Sequence, residues 1–361
     1  MTIEVAFGGT TIKRPGSYSI VDVEQKIPIR PGAFRTLAFV GLPGVGGVDH
    51  GTVYYYNNPT EAAKDIKHAE TLDCMNLAWR YGADLIAFSP VKQETPLDAD
   101  WQDAIDLLEA EFIDGIVLIS HEGAVQAKVN THTQAMSTLQ VKKRRRGFFG
   151  HASGMTAANI ITQAGGLNIS RAVMVSPAPY TIVDGVRTLQ PSYYAAAAVA
   201  GLWASLPVQE PITYKYLDFA GLEVAYTSAE VETLLDAGIV TLEAVRNRGY
   251  RIIQGRTLYS GSDLSDAELS LSTLKDELST DIERFFEDKY VGKGAVAGIE
   301  VTMFNDLISL LENYITRGWI SGYVPETVQI LKEGTAFMPQ FEAMPTLPIN
   351  NFLITSSFKI V

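Results

Sequence analysis

The sequence predicts an α/β protein. It reads as a mostly parallel open sheet with flanking helices, a second α+β domain toward the C-terminus, and extended β-type arms at the N- and C-termini. Three observations carry this. Between residues 83 and 176, short apolar runs alternate with amphipathic helical stretches, the pattern of βαβ units with helices on both faces of a parallel sheet. After Pro191 the chain turns to a small-residue helix and long amphipathic helices. Residues 2–7 and 350–361 are β-type, with apolar residues at alternate positions and no evident partner strand. The expected division is an arm over 1–30, an α/β domain over 31–185, a C-terminal domain over 186–344 and a second arm over 345–361.

In chain order, residues 2–7 alternate, Gly8-Gly9 interrupts them, and residues 10–13 form a second short β-type run. Pro28 and Pro31-Gly32 close this segment before residues 36–41, an apolar run bounded by turn residues that reads as the first buried strand. A helix starts near Asn58, with Pro59 in its first turn, and the apolar spacing carries it through Ala62, Ala63, Ile66, Leu72, Met75 and Ala78. Strands follow at 84–88, 115–119, 147–150 and 172–175, separated by helices around Trp101–Leu108, over 122–142 and over 156–164. Residues 193–201 are a small-residue helix. Thr227 and Glu230 form a capping box, with Gly238 as the stop. A strand is expected at 251–254, and two helices on the stripes Leu271–Phe286 and Leu307–Tyr314, the latter ended by Gly318.

Composition narrows the function. The 361 residues carry 29 Lys+Arg against 41 Asp+Glu, a formal charge of -12, which argues against a nucleic-acid coat. Cys74 is the single cysteine, so no intramolecular disulfide or cysteine-based zinc cluster is available. The longest apolar run, near 193–206, is short of the ~20 residues that span a bilayer. The first residues lack the basic and apolar regions of a signal peptide, so a soluble protein assembled in a reducing cytoplasm is expected.

Motifs for chemistry fail one by one. Gly41-Leu42-Pro43-Gly44-Val45-Gly46-Gly47 follows a strand, but Asp49 stands where a dinucleotide fingerprint needs glycine, and no Gly-Lys-Ser/Thr follows. It reads as a glycine-rich surface loop. His121-Glu122, just after a predicted parallel strand, is the best enzyme-like position. There is no His-Glu-x-x-His pair and no nucleophile elbow, Cys74 reads as a packed small hydrophobe, and no cofactor or metal is expected. The one dense basic run is Lys142, Lys143, Arg144, Arg145 and Arg146. A solvated helix end or an ion-pair surface facing an acidic neighbour fits the overall charge better than a nucleic-acid patch.

The ends stand out instead. Unpaired strand edges are templates for another chain. Ile3, Val5 and Phe7 at one end, and Phe352, Ile354, Phe358 and Ile360 at the other, are the expected inter-subunit strand residues. Gly8, Gly9, Pro345 and Pro348 are the expected linkers.

Several segments resemble contractile tail sheath proteins. Pro15-Gly16-Ser17-Tyr18 is similar to that family's Pro-Gly-Val-Tyr, with Ser17 in place of Val, and residues 36–41 to its first core strand. Residues 193–201 are similar to its small-residue helix, and 235–240 to its Leu-x-x-x-Gly-Val-Asn turn, without the Asn. Gly255-Arg256-Thr257-Leu258 matches its Gly-x-Arg-Thr-Leu strand end, and 318–322 resembles its late Gly-Ala-Leu-x-Gly turn. The segments run in family order from about residue 15 to 322, without a large inserted outer domain. The resemblance implies a non-enzymatic subunit of the virion tail, assembled in the host cytoplasm as stacked hexameric rings. The rings surround a tail tube, terminal arms join neighbouring subunits, and contraction is released by a baseplate. Its implied partners are further copies, the tube protein, and baseplate and tail terminator proteins, with no nucleic acid and no direct membrane insertion. The alternatives are a small-molecule or nucleotide enzyme near His121 and Glu122, or a generic self-assembling shell protein.

Overall fold

The computed structural model describes residues 5–7, 10–12, 35–92 and 95–350, the first two segments as backbone. Two short strands come first, β1 (Val5–Phe7) and β2 (Thr10–Ile12). The body opens with β3 (Leu37–Gly41), β4 (Tyr54–Tyr56), α1 (Pro59–Asp65), α2 (Ala69–Arg80), β5 (Ile86–Pro90) and α3 (Asp98–Asp106), then a 3-10 turn (Leu107–Glu109). It continues through β6 (Gly115–Leu118), α4 (Gly123–Met136), β7 (Arg146–Gly150), α5 (Ala157–Gly165), β8 (Ala172–Ser176), β9 (Pro179–Val183), β10 (Val186–Leu189) and α6 (Tyr193–Ser205). Then come β11 (Tyr216–Leu217), β12 (Gly221–Leu222), α7 (Ser228–Asp236), β13 (Val240–Val245), β14 (Gly249–Ile252) and α8 (Leu264–Ala267). The described chain closes with α9 (Leu269–Tyr290), α10 (Ile299–Thr316), β15 (Ile320–Glu333) and β16 (Ala336–Pro345).

A nine-stranded sheet in the order β11-β14-β13-β8-β7-β6-β3-β5-β4 organises the body. The strands from β13 to β5 pair in parallel, and β4, β14 and β11 add antiparallel edges. The expected α/β class is the observed one. Alternation along the strands feeds two cores. Leu37, Phe39, Phe88, Val117, Phe148 and Val175 face α2 and α6, while Ala38, Val40, Ile116, Leu118, Phe149 and Met174 face the helices on the other side. Full burial on both faces explains why these strands read as continuous apolar runs.

The sheet does not end at the expected boundary near residue 185. β13 lies parallel to β8, and α6 packs its alanines into the same core as β3 and β7, so residues 193–252 complete the sheet instead of starting a new body. Gly201 lets α6 approach α2: a Cβ there would sit 2.4 Å from the Ala78 carbonyl oxygen. Gly201→Ala should therefore lose about 1–3 kcal/mol in chemical denaturation, although alanine is itself worth about 1 kcal/mol in a helix. An unchanged midpoint would show that the two helices separate without cost.

Two helical expectations change. The helix expected from Asn58 to Ala78 breaks at residues 66–68, because Pro43 puts its carbonyl where Lys67 and His68 donate to it, at 2.6 and 3.1 Å, and His68 caps α2. Gly44 sits at φ +81, with any Cβ 2.3 Å from the His68 nitrogen, so the base of the glycine-rich loop packs onto this break, while Val45 at its tip is 85% exposed, as expected of a surface loop. The helix expected over 122–142 stops at Met136. The chain reverses there, with Lys143 donating to the Met136 carbonyl and Lys142 at φ 59.

A second, smaller core lies beyond the sheet. Leu278, Ile282, Phe285 and Phe286 of α9 pack with Leu307, Leu311 and Tyr314 of α10, and with Val328, Ile330 and Phe341 of an antiparallel ribbon made by β15 and β16. The ribbon is missing from the sequence expectations. Pro325 and Pro339 break the alternation that marks a strand, and the structure accommodates Pro325 in a bulge between Val324 and Gln329.

Candidate functional site: a buried basic clamp and an open ribbon

The basic run is not a solvated helix end, because its side chains are engaged within the same chain. After the turn at Lys142 it is the extended lead into β7, so its residues alternate between two faces. Lys142, Arg144 and Arg146 point at α9. Lys142 pairs with Glu287 at 2.8 Å, Arg144 grips Glu283 through two bonds of 2.6 and 3.0 Å and also reaches Thr280, and Arg146 reaches Asp276 at 2.9 Å. Positions 276, 280, 283 and 287 form one stripe of α9, opposite the apolar stripe that carries α10 and the ribbon. The ion-pair expectation thus finds its acidic partner within the same chain.

Lys143 and Arg145 point the other way. Lys143 donates to the carbonyls of Glu109 and Ala110, and Arg145 to those of Leu108 and Glu111, at 2.7 to 2.9 Å. These carbonyls end the α3 segment, where helices leave acceptors open and cations are favoured.

Burial makes the clamp strong and intolerant. Arg145 and Arg146 are each 1% exposed, and burial pulls both guanidiniums down to about 10. Asp276 also accepts two bonds of 2.7 Å from Arg171. Burial pushes its carboxyl up, but the Arg171 hydrogen bonds and the charges of Arg146 and Arg171 outweigh that and hold it below the ordinary range. Arg35, stacked 4.7 Å over Trp203, faces Glu277 at 3.7 Å. Burial pushes the Glu277 carboxyl up to about 7, only partly opposed by Arg35, with Asp114 and Asp276 adding to the rise.

That shift has a sign. The folded protein holds a proton at Glu277 that the unfolded chain has lost, so the penalty is absent below about pH 4.5 and complete above about pH 7. Glu277→Gln should stabilise the protein at pH 8 by about 1–2 kcal/mol, after allowance for partial exposure, and leave it unchanged at pH 4. Melting curves at both values check this; equal shifts at both would contradict it.

The enzyme-like positions come out differently. His121 and Glu122 lie 3.4 Å apart at the end of β6, with 41% and 70% of their side chains exposed. A more ordered arrangement was not visible in the sequence. The His151 ring donates from Nδ1 to the Ala152 carbonyl, so Nε2 accepts from the Ser176 hydroxyl at 3.0 Å, and Tyr226 donates to Ser176 at 2.8 Å. Burial pulls His151 down to about 4, which keeps the ring neutral. Both His151 and Ser176 are 0% exposed, so this chain of hydroxyls ties β7 and β8 together and no substrate reaches it. Asp106, Glu109 and His132 bring ligand atoms within 4.8 Å of one another, but Arg145 lies 3.2 Å from His132 Nε2, and a cation there opposes a metal ion. Cys74 is fully buried, as a packed small residue should be.

Of the expected strand residues, Val5 and Phe7 lie on β1, which pairs with β2 so that Val5 faces Ile12 and Phe7 faces Thr10. Ile3, Gly8, Gly9, Phe352, Ile354, Phe358 and Ile360 lie outside the described residues. Pro345 ends β16 opposite Ile320, and Pro348 lies just beyond it. The ribbon is two strands only, so its outer edges pair with nothing among the described residues.

Residues 97–258 match the family described as phage tail sheath protein central domain. The tail sheath protein of Bacillus phage SP01 is 29% identical over 272 residues, covering 74% of this chain and 46% of that protein. Over these residues the chain is similar to phage tail sheath proteins. It spans less than half the length of the curated relatives it matches. Among solved structures, the sheath tail protein of Desulfitobacterium hafniense superposes with a TM-score of 0.71 at 13% identity, over 91% of this chain and 96% of that one. The contracted helical sheath of the anti-feeding prophage gives 0.69 at 14% identity, over 96% and 99%. At such identities the likeness is one of fold.

Proposed function

We propose that the protein is a structural subunit of a contractile tail sheath. It assembles with copies of itself as stacked hexameric rings around a tail tube, within a virion tail put together in the host cytoplasm. Strands from the terminal segments add to sheets of neighbouring subunits, and a baseplate signal releases contraction that drives the tube through the host envelope. Tube, baseplate and tail terminator proteins are its partners in this reading, and its role is mechanical, not catalytic.

One observation carries it. The β15–β16 ribbon presents two edges that pair with nothing among the described residues, and the chain leaving that ribbon leads directly into residues 351–361, a segment rich in β-forming residues. Backbone pairing suits a sliding lattice, because it holds neighbours while a connector flexes. The clamp supports the reading as well. A subunit that transmits force needs the α9–α10–ribbon unit fixed to the sheet, and the stripe from Asp276 to Glu287 fixes it there. Negative-stain microscopy of the purified protein tests the proposal. Hollow tubes with a wide lumen are expected, whereas compact monodisperse oligomers whose melting responds to small ligands would favour the enzyme alternative.

A further inference from the structure

The segment after the ribbon does not swing free at its prolines. Thr346 donates its amide to the Trp319 carbonyl at 3.1 Å and its hydroxyl to the Gly318 carbonyl at 2.8 Å. Four residues later, Asn350 Nδ2 donates to Glu268 Oε2 at 3.5 Å, across 82 residues of sequence. Glu268 sits at the junction of α8 and α9 and is 0% exposed. It stands at the N-cap of α9, but its side chain makes no capping bond there. The carboxylate instead collects Gln254 Nε2 at 3.2 Å, Ser270 Oγ at 3.4 Å and Asn350. Nearby polar atoms are left over: Asn350 Oδ1 and Arg256 Nε are buried and have no hydrogen-bond partner among the described residues. A buried carboxylate with three long bonds is costly for a site that only closes a helix end, where serine, threonine or aspartate would serve. The N-terminus of a long helix offsets part of that cost.

We propose that Glu268 is a mooring for the C-terminal segment: through Asn350 it fixes the point and direction at which the chain leaves the body. The two ties strap residues 346–350 along the body, so Pro345 and Pro348 are held and do not act as the hinge. Leu347 and Ile349 remain 59% and 83% exposed along the strap, available to whatever lies beside it. The mooring deepens the strand-exchange reading and rests on it for its purpose, since a strand aimed at a neighbour's ribbon needs a fixed origin. The geometry itself stands without it.

The test measures the origin directly. In the full-length protein, spin labels are placed on Ile349→Cys and Ser262→Cys, both exposed, and the labelled chains are diluted with unlabelled protein; Cys74 is buried and does not react. One narrow distance distribution is expected. Asn350→Ala, which changes a partly exposed residue and leaves the core intact, should abolish it, as should Glu268→Gln by weakening all three bonds. A distribution equally narrow in both variants overturns the mooring. Because the readout needs no tubes, it separates the mooring from the sheath reading: tube formation with an unmoored segment leaves the sheath reading standing, and a moored segment without tubes does the reverse.

Discussion

Replacing Asp276 with alanine is expected to cost about 3–5 kcal/mol of folding stability, the largest loss of any single change in the α9 stripe. The carboxylate answers two guanidiniums, Arg146 and Arg171, and Arg146 is 1% exposed beside the Trp203 ring, 5.5 Å from its centroid. Without Asp276 the Arg146 charge stays buried with no carboxylate bonded to it, and water cannot take that place without opening the core. Glu283→Ala provides the contrast. Arg144 lies nearer solvent and can rehydrate, so a loss of about 1 kcal/mol is expected there. Urea denaturation of both variants decides it. Equal, small losses would mean that α9 is held by its apolar stripe alone.

Removing residues 351–361 should have the opposite profile, with full assembly loss and almost no stability loss. Among the described residues the hydrophobic cores draw on residues from Leu37 to Ala343, well short of the segment removed. The truncated protein should keep its circular dichroism and melting curve, sediment as a small species and form no tubes. Truncated protein that still builds tubes would remove the C-terminal segment from the lattice and leave the N-terminal strands as the only remaining arm.

Sequence reasoning reached the parallel sheet because strands covered on both faces, such as Leu37–Gly41 and Ala172–Ser176, show as short apolar runs between turn residues. It reached the Thr227–Glu230 box and the Gly238 stop, at φ 78, because these are local backbone chemistry. It missed what depends on distant partners. The break before α2 is made by the Pro43 carbonyl, and the ribbon is stabilised by α10 despite its prolines. From the sequence the basic run fits a solvated helix end or an ion-pair surface. Its alternation between α9 and the end of α3 follows from extended backbone leading into β7, and the acidic stripe 276–283–287 was present in the sequence as its complement. The hydroxyl chain through His151, Ser176 and Tyr226 left no comparable mark, since it exists only where adjacent strand ends meet.

The central claim is that the chain beyond Asn350 joins one subunit to the next. A helical reconstruction of tubes formed by the full-length protein tests it most directly. Density should run from Asn350 out of the subunit and lie as an added strand along a sheet edge of a neighbouring copy. Density that folds back onto its own subunit, with both edges of every β15–β16 ribbon bare, would contradict the account.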